Sequence, residues 1–76
     1  MLEWSRAKDA TAAGINAILA GQAEVGTRWM ETAIRWRPDL SPPYLHLGLT
    51  LEQQGDMQQA SQLLEHYKTL MPTDAR

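Results

Sequence analysis

Apolar residues recur along this chain at helical spacing in four stretches, divided by Gly21, Pro38 and Gly55. In the third stretch Tyr44, Leu47 and Leu51 fall on one stripe, since a helix turns about 100° per residue. The fourth answers it with Leu63, Leu64 and Tyr67. The second carries Trp29, Met30, Ala33 and Trp36, and the spacing of its tryptophans puts both on one face. The first places Ile15, Ile18 and Leu19 among alanines, so its C-terminal half is apolar nearly all round and expects cover on every side. The pattern predicts helices over about residues 5–20, 23–37, 42–54 and 57–71. It predicts no strand, because there is no Phe and no alternating run flanks an Asn-Gly or Asp-Gly turn.

Helix ends are legible from a few residues. Ser41 is placed to cap the third helix, with Pro42 at the first helical position, where a missing N–H costs nothing. Gly55 suits the left-handed residue that ends that helix, and Asp56 suits the cap of the fourth, with Gln59 as a capping-box partner. Gln22 stands where Asp56 stands in the second half and is a poorer cap, so the turn at Gly21 is expected to be the less well defined. Glu24–Arg28 and Glu31–Arg35 are spaced for ion pairs along a solvated stripe.

The chain also matches itself when its second half is slid back over its first. Gly14 falls on Gly48, Gly21 on Gly55, Glu31 on Glu65 and Pro38 on Pro72, and Met30 and Gly26 fall on the similar Leu64 and Ala60. A period of about 34 residues implies stacked helical hairpins. It divides a single domain of 76 residues into an N-terminal extension (1–6), two repeats (7–40 and 41–74) and two final residues (75–76).

The second repeat reads Tyr44-x-x-Leu47-Gly48-x-x-Leu51, Gly55-Asp56, Ala60-x-x-x-Leu64, Tyr67 and Pro72. The first reads Ala10-x-x-Ala13-Gly14-x-x-Ala17, Gly21, Gly26-x-x-x-Met30, Ala33 and Pro38. These residues resemble the tetratricopeptide repeat. Leu64 departs from its usual aromatic and Tyr67 from its usual small residue, and the first copy is small where the family is usually large. The resemblance implies an all-α fold of two stacked helix-turn-helix hairpins, four antiparallel helices in all, forming a fragment of an α-solenoid. Gly14, Gly26, Gly48 and Ala60 then mark close helix approach, and Tyr44, Leu47 and Leu51 pack on Leu63, Leu64 and Tyr67.

The resemblance further implies a concave groove formed by Thr11, Ala12, Ile15, Ile18, Leu19, Leu45, His46, Leu49, Glu52 and Gln53. One subclass of the family grips a C-terminal carboxylate there with Lys, Asn and Arg. The aliphatic residues at these positions exclude that clamp and favour a peptide or amphipathic helix docked through apolar anchors. The same aliphatics would equally be covered by Leu2 and Trp4, by a second copy, or by more of a longer protein. Trp29 is expected to fill the core. Trp36, Tyr67, Leu70 and Met71 make an alternative end-face interface through which a homodimer would form, since two repeats are few for a solenoid.

Composition narrows the function. A net charge of −2 and an isoelectric point near 5.5 leave no electrostatic footprint for nucleic acid, and the single Arg35-Trp36-Arg37 triplet is a weak signal in an acidic chain. No apolar run has membrane-spanning length and the first residues do not form a signal peptide, so the expected location is cytoplasmic. There is no cysteine, and His46 and His66 lie on different helices without the spacing of a metal or nucleophile motif. The expectation is a non-catalytic protein–protein interaction module with no metal and no cofactor. The alternative is self-association, or the docking domain of a larger protein.

Overall fold

The computed structural model describes residues 2–71, and side chains from residue 3 onward. Four helices follow one another: α1 (Leu2–Leu19), α2 (Ala23–Trp36), α3 (Ser41–Gln53) and α4 (Met57–Leu70). No strand occurs among the described residues. The helices pack as two pairs, α1 on α2 and α3 on α4. α2 carries most of the contact between the pairs, and α1 meets α3 only marginally. The result is a slab of 36 × 32 × 18 Å.

Within each pair the helices approach closely because small residues line the seam. A Cβ on Gly14 would stand 2.8 Å from the Met30 methyl and 3.1 Å from the Gly26 carbonyl oxygen. One on Gly48 would stand 2.8 Å from Leu64 Cγ. Ala7, Ala10, Ala33 and Leu40 form a buried cluster, with Met30 and Ala60 buried elsewhere along the seams. Small side chains bring helix backbones together, at the cost of apolar volume removed from water.

The turns within the two pairs are built alike. Gly21 and Gly55 both take positive φ, 83° and 90°. In each, the glycine N–H and the next N–H bond back to carbonyls of the preceding helix: Gly21 to Ile18 and Gln22 to Ala17, Gly55 to Glu52 and Asp56 to Leu51. This is the Schellman ending, which satisfies carbonyls that a helix end otherwise leaves bare. The Gly26–Gln22 and Arg37–Ala33 backbone bonds likewise have counterparts at the equivalent places in the second pair, Ala60–Asp56 and Met71–Tyr67. The turn at Gly21 is therefore as well formed as its counterpart. The two differ at the cap, where Asp56 accepts from the Gln59 N–H at 3.4 Å and Gln22 accepts nothing.

Several expectations need correction. α1 starts at Leu2 rather than near residue 5. Arg6 lies over the Trp36 ring and Arg37 over the Trp4 ring, each 5.0 Å from the centroid, and these contacts tie the start of α1 to the end of α2. Ser41 lies inside α3, and Leu40 occupies the cap without a side-chain bond. Pro42 and Pro43 have no N–H, so the first turn has few bare donors to satisfy. Glu24–Arg28 and Glu31–Arg35 do not pair, whereas Arg37 and Asp39 do, at 2.6 Å. Exposed pairs on long side chains gain little against their own entropy. Trp29 is not core but 42 % exposed, because Met30 and Ala33 take the inward positions.

The link between the pairs is short and firmly tied. The Leu40 N–H donates to the Arg37 carbonyl, and the Arg37 guanidinium holds both oxygens of Asp39. The Tyr44 hydroxyl donates to the Pro38 carbonyl at 2.7 Å. Pro72, which matches Pro38 in the repeat pattern, and the side chain of Leu2, expected as cover, lie outside the described residues. No described helix is long and apolar enough to cross a membrane.

Candidate functional site

A depression of about 280 Å³ opens between α1 and the start of α3, lined by Lys8, Thr11, Ala12, Ile15, Leu40 and Pro42. Its walls are almost wholly apolar. The Thr11 hydroxyl is buried and donates to the Ala7 carbonyl at 2.7 Å, so it is already committed within the helix. Lys8 is exposed and sets one cation beside the opening. Such a site suits an aliphatic side chain on a partner and offers little to hydrogen-bond a polar one.

The structure thus brings together Thr11, Ala12 and Ile15 of the expected groove. Ile18 is turned elsewhere: a Cβ on Gly26 would meet Ile18 Cγ1 at 2.5 Å, which places Ile18 in the α1–α2 seam. Leu19, at the end of α1, is 80 % exposed. Leu45 and His46 are half-buried on α3, Leu49 is 42 % exposed, and Glu52 and Gln53 are exposed; none of these lines the depression. Burial pushes the His46 imidazole below its ordinary pKa and favours the neutral ring. Leu40 and Pro42 were missed as site residues because the loop-to-helix step they form reads as punctuation. The signal was a bulky apolar residue just ahead of a proline-started helix.

A second depression, of about 430 Å³, lies between α2, α3 and α4. Tyr44, Leu47, Leu51 and Leu63 line it, with Thr27 and Glu31 of α2 on one side and His66 on another. The His66 ring lies 4.4 Å from that of Tyr44, tilted by 50°. Burial raises the Tyr44 phenol above its ordinary pKa, and the nearby Asp39 charge adds to this. The Thr27 hydroxyl oxygen is buried and has no hydrogen-bond partner among the described residues.

The expected end-face residues divide between two places. Trp36, 39 % exposed, lines a depression of about 410 Å³ on the outer side of α1 and α2, together with Arg6, Ala10, Ala13 and Trp29. Tyr67 and Leu70 are half-buried and Met71 is exposed at the end of α4, apart from that depression. Of the basic triplet, Arg37 is committed to Asp39 and to the Trp4 ring. Among the described residues no group of three His, Asp or Glu side chains is arranged to hold a metal ion.

No protein family, curated protein or solved structure matches this chain.

Proposed function

We propose that this chain is a two-repeat, tetratricopeptide-type α-solenoid fragment that serves as a non-catalytic protein–protein interaction module. Its partner is a peptide or amphipathic helix that inserts an apolar side chain between α1 and α3. The observation that carries the reading is the apolar depression bounded by Thr11, Ile15, Leu40 and Pro42, with Lys8 at its rim. The recurrence of the same backbone hydrogen bonds at the turns and helix ends of both pairs supports the repeat on which it rests.

A display library of helical and extended peptides, selected on the native chain and counter-selected on Ile15→Glu, tests this. Ile15 is only half-buried, so the variant should keep its helical circular dichroism. Selected peptides should carry apolar anchors at i, i+3 and i+4 or at alternate extended positions, and should lose binding to the variant. Peptides that bind both proteins equally would reject the site.

A further inference from the structure

The wall that the second hairpin turns toward α2 recurs on the outer side of the first hairpin, where no described helix lies. Tyr44, Leu47, Leu63 and His66 line the depression that α2 borders. Their counterparts in the first repeat are Ala10, Ala13, Trp29 and Thr32, and all four line the open depression beside Trp36. Bulk has moved from the first helix of the pair to the second: small alanines replace Tyr44 and Leu47, and Trp29 replaces Leu63. The surface is the same in plan and uncovered.

What borders such a wall is shown by the second hairpin itself. There α2 packs on α3 and sets Thr27 and Glu31 at the side of the depression. The counterparts of these two residues are Ser61 and Glu65, both exposed on α4. α2 and α4 have the same length of 14 residues and begin at equivalent positions. Charge also fits. The counterpart of Gln62, which shares the depression with Glu31, is Arg28, exposed beside Trp29. A Glu65 carboxylate brought to this wall would meet the Arg28 guanidinium, and neither is ion-paired within the described residues.

We propose that a second copy of this chain docks the Ser61–Glu65 stripe of its α4 on the Ala10–Ala13–Trp29–Thr32 wall of the first, in the relation that α2 holds to the second hairpin. The contact joins different surfaces of the two copies, so each dimer keeps one free wall and one free stripe and growth continues head to tail. It buries Trp29 and Trp36 and leaves the α1–α3 depression open.

Sedimentation equilibrium of the whole chain from micromolar to millimolar concentration tests this. The weight-average mass should rise past that of a dimer, with a shift in tryptophan emission over the same range. Ala13→Arg blocks the wall and Ser61→Arg blocks the stripe. Each alone should remain monomeric with native circular dichroism, and an equimolar mixture should form a heterodimer that grows no further. Trp29→Lys replaces Ala13→Arg if the latter loses its helical signal. A native chain that stays monomeric throughout overturns the proposal. So does a Ser61→Arg chain that still associates, which would indicate a twofold contact between tryptophan faces. Ile15→Glu should leave the mass profile unchanged, which separates failure here from failure of the peptide site.

Discussion

Gly14 and Gly26 face each other across the α1–α2 seam. A Cβ on either would crowd the other's carbonyl oxygen, at 3.1 Å from Gly14 and 2.9 Å from Gly26. The α3–α4 seam is different, since a Cβ on Gly48 would chiefly meet the Leu64 side chain and would lie 3.4 Å from the nearest backbone oxygen, that of Ala60. Backbone cannot swing aside as a leucine can. Gly26→Ala should therefore lose about 1–3 kcal/mol of stability, despite alanine's higher helix propensity. Gly48→Ala should cost less, because Leu64 can shift. Urea unfolding midpoints of the two variants check the order, and equal losses would contradict it.

Thr27 makes a case in the other direction. Its buried hydroxyl has no partner among the described residues, so Thr27→Val removes a desolvated polar group while nearly preserving shape. A gain of about 1 kcal/mol is expected in thermal or denaturant unfolding. A clear loss would mean that the hydroxyl is bonded in solution.

Tyr44 ties the link between the pairs through its bond to the Pro38 carbonyl. Tyr44→Phe should cost about 1 kcal/mol. Because the folded-state pKa of this phenol is raised, its contribution is complete below the unfolded value of about 10 and is lost as pH rises through the higher folded value. The native chain should therefore lose stability in alkali, and the phenylalanine variant should lose less over the same range. Parallel pH curves would show that Tyr44 is not the group responsible.

His46 predicts the acid side. Its folded-state pKa is depressed by burial, so the unfolded chain takes up a proton first as pH falls below about 6.5. The stability of the native chain should be whole above that value and decline below it toward the lower folded pKa. His46→Gln should flatten this part of the curve. A His46 resonance that titrates in the folded chain at its ordinary value by NMR would contradict the assignment.

Helix number was legible from the four apolar-periodic stretches. The positive φ of Gly55 and the close seams at Gly14 and Gly48 were legible because each rests on one residue whose size or backbone leaves little choice. The equally left-handed Gly21 was not read so, because the weak cap at Gln22 pointed the other way. Asp56 was legible for the same reason as Gly55. Trp29 was not. Helical spacing put it on a face with Trp36, but Met30, one residue on, competes for the inward position, and periodicity alone does not decide between adjacent residues. Ile18 was misplaced because a helix apolar nearly all round gives no direction to its side chains; the facing Gly26 decides it. The depression between α1 and α3 was half legible, through Thr11, Ala12 and Ile15. Its other wall is the turn into α3, which belongs to no periodic stretch.

The tied link at Arg37–Leu40 has a mechanical consequence. Because α1 scarcely touches α3, the angle between the pairs is set mainly by α2 and by this short buckle, with its bonds from Arg37 to Asp39 and from Tyr44 to Pro38. The buckle acts at the short arm of a lever, and the far ends of α1 and α4 are the long arms. A bond lost there would leave more of that angle to α2, the helix that carries most of the packing between the pairs.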